Sequence, residues 1–137
     1  MTFETEEDLR REKKAIETFV NTFSGSYKKL DPNDIDYKVF DKKGDLIAYA
    51  EVKGRVRTMY YAYPLPISVI KISKLSDKRL NPLVIWSCED GIIYGKVNKI
   101  KGEVKWGGRT PRDNSFNDSE LMIYYDKQKE LKYIRFT

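Results

Sequence analysis

Three side chains have the types and spacing for chemistry on a phosphate ester: Asp36, Glu51 and Lys53. Ile35 to Asp41 alternates apolar and polar residues, Lys42-Lys43-Gly44-Asp45 is a turn signal, and Leu46 to Arg57 reads as a long strand. With the turn centred between Lys43 and Gly44, Val39 faces Ala48, Tyr37 faces Ala50 and Asp36 faces Glu51. Directly opposed side chains share a face, with Cβ atoms roughly 5 Å apart, and like charges so placed repel. A cation between the two carboxylates removes that cost. A one-residue bulge would disturb the alignment. Asp34 lies on the same face as Asp36 and pairs with Lys53 in this register.

Along the second strand, Ile47, Tyr49, Glu51, Lys53, Arg55 and Arg57 share a face, because side chains alternate. That face begins apolar and turns ionic at Glu51. A divalent ion held there would polarise a phosphodiester and activate water. The Lys53 ammonium would orient that water or stabilise transition-state charge. Arg55 and Arg57 would hold flanking phosphates.

The residue inventory restricts the alternatives. Histidine is absent, which excludes Ser-His-Asp and Cys-His triads and histidine zinc sites. The single cysteine, Cys88, lies in the apolar run Leu83–Cys88 and reads as a core residue. It also rules out an intrachain disulfide. With oxygen donors only, the expected ion is hard, Mg²⁺ or Mn²⁺. A net charge of +5 favours a polyanionic partner such as nucleic acid. No signal peptide and no membrane-length apolar stretch is visible, so a cytoplasmic protein without membrane contact is expected.

These side chains need a scaffold, and 137 residues suit one domain spanning 1–137. Glu4 to Phe23 reads as an amphipathic helix, with Leu9, Ile16, Val20 and Phe23 at helical spacing and Thr2 as a cap. Tyr27–Leu30 is a short strand preceding the hairpin. Met59–Pro66 reads as a loop and Ile67–Leu75 as a second helix. Leu83–Cys88 and Ile92–Val97 form a hairpin around Glu89-Asp90-Gly91. The stretch Gly102–Ser119 reads as irregular, and Leu121–Tyr125 and Tyr133–Phe136 as terminal strands around a charged turn. The expectation is an α+β domain in α-β-β-β-α-β order, with one mixed central sheet flanked by helices.

Asp36, a spacer of fourteen residues and Glu51-Val52-Lys53, preceded by a helix and followed by another, resemble the PD-(D/E)xK nuclease superfamily. The resemblance covers roughly residues 4 to 97. It implies a restriction-endonuclease-like core and hydrolysis of phosphodiester bonds in DNA, including branched or repair intermediates. It implies that Asp36 and Glu51 bind the metal with the backbone carbonyl of Val52, and that Lys53 assists the water. A first-helix glutamate often joins the site. Glu12 is the choice, since it lies between Leu9 and Ile16 on the apolar stripe, and Glu17 is the fallback. The second helix would supply Lys71. The Pro-Asp dipeptide is not intact, since Asn33 follows Pro32. The lack of an added specificity domain looks like a small stand-alone enzyme of junction-resolving or phage-encoded type, and a homodimer would address both strands.

Other motifs carry less. Gly91–Lys96 lacks the spacing of a phosphate loop, and Asp113, Asp118 and Glu120 lack that of an EF-hand. Gly107-Gly108-Arg109 with Arg112 would follow a nucleic-acid backbone, with Trp106 stacking on a base, or form a plain surface loop. The alternative function is a non-catalytic nucleic-acid-binding or interaction module on the same fold.

Overall fold

The computed structural model describes residues 5–30, 37–77, 80–108 and 119–137. Helix α1 runs Glu6–Asn21. Its start is fixed by a capping box: Thr5 Oγ1 accepts from the Asp8 N–H at 3.0 Å, and Asp8 Oδ2 accepts from the Thr5 N–H at 3.3 Å. The cap is thus Thr5 instead of Thr2, because only Thr5 has an acid three residues on. Ala15, Ile16, Phe19 and Val20 are the buried stripe. After the helix the chain turns at Ser24, and the Gly25 N–H donates to the Val20 carbonyl at 2.9 Å. A Cβ at Gly25 would collide with the Phe40 carbonyl and the Phe23 ring, so this close approach needs glycine.

The strands β1 (Ser26–Lys29), β2 (Tyr37–Phe40), β3 (Leu46–Gly54), β5 (Pro82–Ser87), β6 (Gly91–Lys96) and β9 (Lys132–Arg135) form a six-stranded sheet in the order β1-β2-β3-β5-β6-β9. Only β3 and β5 are parallel. Between them the chain passes through a 3-10 turn (Met59–Tyr61), strand β4 (Leu65–Ser68) and helix α2 (Val69–Ser76). The mixed sheet, the two helices and their order agree with the α+β expectation.

Both faces of the sheet are covered. On one face α1 packs on Tyr37, Val39, Ala48, Ala50, Val52, Leu83 and Ile85. On the other, Val84, Trp86 and Ile93 join Leu65, Ile67, Ile72 and Leu75 from β4 and α2. All six residues of β5 are buried, which is why it is a continuous apolar run. The alternation along β3 sends Ala48, Ala50 and Val52 toward α1, and Tyr49, Glu51 and Lys53 toward α2.

The structure adds a second sheet, β4-β8-β7, with β7 at Glu103–Gly108 and β8 at Ser119–Tyr125. Part of the stretch read as irregular is therefore β7. Its described side chains are mostly solvent-exposed, so it lacks the buried alternation that marks a strand. β8 and β9 belong to different sheets and do not pair. Gln128 lies between them and binds both the N–H and the carbonyl of Lys101, each at 2.9 Å. The two layers are joined at Trp86, whose Nε1–H donates to the Pro66 carbonyl at 2.8 Å and whose ring meets Tyr125 edge-on. No helix among the described residues is long and apolar enough to cross a membrane.

Candidate active site

The β2–β3 hairpin has the register read from the sequence. Tyr37 pairs with Ala50, Lys38 with Tyr49 and Val39 with Ala48. Nearer the turn Phe40 pairs with Leu46, so Ile47 is an extra residue in β3. Asp41 ties the turn by accepting from the Lys43 and Asp45 N–H groups at 2.9 and 3.0 Å, with Gly44 at φ 90°. The turn is thus one residue out of step with the expected centre, and the bulge restores the expected pairing beyond it. Asp36 and Asp34 lie outside the described residues, as do Arg109 and Arg112.

Glu51 is the only charged side chain buried among the described residues, at 3% exposure. It is opposite Val84 of the buried strand β5, and Lys53 is opposite Trp86. Burial of a carboxylate is costly unless a charge or hydrogen bonds compensate it. Compensation comes from Lys71, whose Nζ lies 2.8 Å from Glu51 Oε1. Lys71 is placed in the first turn of α2 by the Ser68 cap, whose Oγ accepts from the Lys71 N–H at 3.2 Å. Lys53, half-buried, shares the Glu51 face two residues further along β3. Lys71, Glu51 and Lys53 therefore lie on one side of the sheet.

Glu12 projects from α1 on the opposite side. Its Oε2 accepts from Lys29 Nζ and from the Tyr37 hydroxyl, each at 3.2 Å. It is thus held against β1 and β2, and Tyr37 directly follows Asp36 in the sequence. Glu17 instead accepts the Tyr27 hydroxyl at 3.0 Å. Burial, and then the hydrogen bond to Glu17 and its charge, hold the Tyr27 hydroxyl above its ordinary pKa. The contacts of Glu12 with Lys29 and Tyr37 had no sequence signal, since they join residues 17 and 25 positions apart.

Arg55 turns inward beyond the end of β3. Its Nε donates to the Ala62 carbonyl at 2.9 Å and an Nη to that of Pro64 at 3.4 Å, so it fastens the 3-10 turn to the sheet. Arg57 is exposed. A recess of about 290 Å³ at the ends of β3 and β5 is lined by Arg10, Arg11, Lys14 and Arg55 together with Glu7 and Glu89. The three α1 cations there, Arg10, Arg11 and Lys14, were not singled out from the sequence. A larger cavity of about 590 Å³ lies near the opposite ends of these strands, around Phe19, Ala48, Leu83 and Tyr94, and is not lined by Glu51 or Lys53.

Among the described residues no group of three or more Asp, Glu, His or Cys side chains is gathered for a metal. The described donor on this face of β3 is a carboxylate, the oxygen type that a hard cation takes. Glu51 is a buried carboxylate with a positive group already against it. Cys88 is no competitor, because burial, followed by the Asp90 charge, pushes its thiol up to about 12.

No curated protein and no solved structure matches the chain. A family model described as "Phage putative PDDEXK endonuclease" matches residues 1–132. With that match over nearly its whole length, and with Glu51-Val52-Lys53 on the third strand of an α-β-β-β-α-β core, the chain belongs to this phage PDDEXK endonuclease family.

Proposed function

We propose that the protein is a metal-dependent nuclease that hydrolyses phosphodiester bonds in DNA. The observation that carries this reading is the buried Glu51, compensated by Lys71 at 2.8 Å and two residues from Lys53 on one face of β3. A strand of a fold has no need of a buried carboxylate for its own stability, and such groups concentrate at functional sites.

Glu51 and Asp36 would hold Mg²⁺ or Mn²⁺, with the Val52 carbonyl as a further donor. Once bound, the ion would supply positive charge to the scissile phosphate. Lys53 donates a hydrogen bond to the attacking water and directs it at phosphorus; as the new P–O bond forms, the bond to the leaving oxygen breaks, the water's proton passes to solvent and the leaving oxygen takes one from solvent. Lys71 balances Glu51 at 2.8 Å, and with a cation held by Glu51 its ammonium would meet a phosphate oxygen instead. Glu12 positions the start of β2 through Tyr37. Arg57, Arg109 and Arg112 contact flanking phosphates, joined by Arg10, Arg11 and Lys14 of the recess. Arg55 contributes mainly by fixing the turn. A homodimer would let two such sites address both strands.

One observation favours a second reading. The Lys71–Glu51 contact neutralises the carboxylate without a metal, as it would in a non-catalytic nucleic-acid-binding module. The two readings separate on cleavage of labelled single strands, duplexes, flaps and four-way junctions with Mg²⁺, Mn²⁺ or EDTA. The nuclease reading predicts cutting only with metal, and binding without cutting under every metal would support the module.

A further inference from the structure

β7 and β8 form a ribbon whose two faces differ. Opposed residues share a face, so Tyr125 with Leu65, Ile123 with Ile67 and Val104, and Leu121 with Trp106 make one continuous row. The row starts in the core, with Tyr125 at 3% exposure. It then runs out of the molecule: Leu121 is 38% exposed, Val104 53% and Trp106 75%. The other face carries Glu103 and Lys105, paired at 3.5 Å. β7 is an edge strand, and β8 packs against α2, the helix that carries Lys71. An apolar row that leaves the core and stays exposed, on a sheet that packs against α2, calls for an external partner.

A second copy of the chain fits this row poorly. Leu121, Val104 and Trp106 together offer roughly 300 Å² of apolar surface, well below the ~800 Å² per partner of a stable interface. A nucleobase fits better. One exposed indole is a complete stacking platform, and it accepts any base. The chain carries net charge +5, and Arg109 and Arg112 follow β7 in the sequence.

We propose that the β7–β8 ribbon is a base-stacking arm. Trp106 takes the face of an unpaired base, flanked by Val104 and Leu121, and directs the Glu51–Lys53 site to nucleic acid with a single-stranded segment. In an intact duplex both faces of each base are already stacked, so the platform selects strands with unpaired bases. This inference rests on the nuclease reading for its substrate, but its test does not require cleavage.

Binding of a short labelled single strand and of the matching duplex is measured in EDTA, with intrinsic fluorescence recorded alongside. Trp86 is fully buried and Trp106 is exposed, so the two indoles report separately. The single strand should quench emission in the wild type and leave Trp106→Ala unquenched. Trp106→Ala should weaken single-strand binding roughly tenfold or more, and Trp106→Phe, which keeps a ring, should retain most of the affinity. Unchanged single-strand affinity in Trp106→Ala overturns the proposal, as does equal quenching by duplex. So does sedimentation showing a dimer that Trp106→Ala dissociates without altering strand binding. Cleavage by the wild type with unchanged substrate preference in Trp106→Ala would remove the arm and leave the nuclease. Trp106-dependent binding with no cleavage would do the reverse.

Discussion

Replacing Lys71 by Met removes the cation from a buried carboxylate, and the structure sets the size of the effect. Glu51 is 3% exposed, while the Lys71 side chain is 51% exposed. Breaking a fully buried pair costs about 3–5 kcal/mol. A hydrogen bond to a charged group contributes about 1.5–3 kcal/mol, and half-exposure of the lysine screens the attraction. A loss of about 2 kcal/mol follows, or a Tm lower by roughly 6–8 °C for a domain of this size. Glu51→Gln should cost less, within about 1 kcal/mol, because the amide keeps the shape and the released lysine returns to water. The assay is thermal unfolding followed by circular dichroism, in EDTA and in excess Mg²⁺. Lys71→Met should recover part of its loss when the divalent ion replaces the ammonium, and Glu51→Gln should gain nothing. A Lys71→Met protein as stable as wild type in EDTA would show that Lys71 does not compensate Glu51, as would a larger loss in Glu51→Gln.

Other predictions concern the surroundings of the site. Arg55→Ala should lower stability by about 1–3 kcal/mol by leaving the Ala62 and Pro64 carbonyls without their guanidinium donors. Arg55→Lys should restore only part of this, since an ammonium lacks the planar fork; full rescue by lysine in denaturant unfolding would contradict the hydrogen-bond account. Cys88 makes the protein alkali-sensitive. The thiol ionises near its ordinary 9.0 when unfolded but stays protonated in the fold up to about 12. Between those values the unfolded chain binds fewer protons, so stability falls as pH rises, by at most about 1.4 kcal/mol per pH unit. Below pH 9 the contribution is complete. Tyr63 and Tyr125, both raised by burial, add to the fall above their ordinary 10.0. Cys88→Ala should therefore show a shallower decline in Tm between these limits, and an unchanged slope would remove Cys88 from the explanation.

The hairpin was legible because two local signals constrain it. Alternation along Ile35–Asp41 fixes which residues face the core, and Gly44 fixes the turn. The face requirement is the stronger of the two: a slip of one residue would turn Val39, Ala48 and Ala50 away from α1. The bulge at Ile47 absorbs the mismatch of the turn, so the pairing is kept. Helix α1 was legible from its stripe, though its start shifted by a few residues, because capping is decided by the Thr5–Asp8 pair and not by the first available hydroxyl.

The second sheet was less accessible. β4 contains Pro66, which is tolerated because β4 is an edge strand. Among the described residues exposed β7 pairs with β8 alone, so burial left little pattern in it. In the candidate site, Glu51 and Lys53 could be singled out as a polar interruption in an apolar strand. Lys71 came from the family resemblance, and the structure shows it against Glu51. Arg55 was read as a phosphate contact because its face matches that of Lys53. Its inward turn depends on the distant Ala62 and Pro64 carbonyls, which periodicity does not report.

Metal-dependent hydrolysis at Glu51 and Lys53, the proposed function, can be measured outright. The most direct measurement is the initial cleavage rate of a labelled DNA substrate in Mg²⁺ by wild type, Glu51→Gln and Lys53→Met, with each variant shown to be folded by its melting curve. Wild type should cut and be silenced by EDTA. Lys53→Met, although folded, should be slower by roughly 10²–10⁴-fold, and Glu51→Gln should not respond to metal. Cleavage at the wild-type rate by either folded variant would contradict the proposed function.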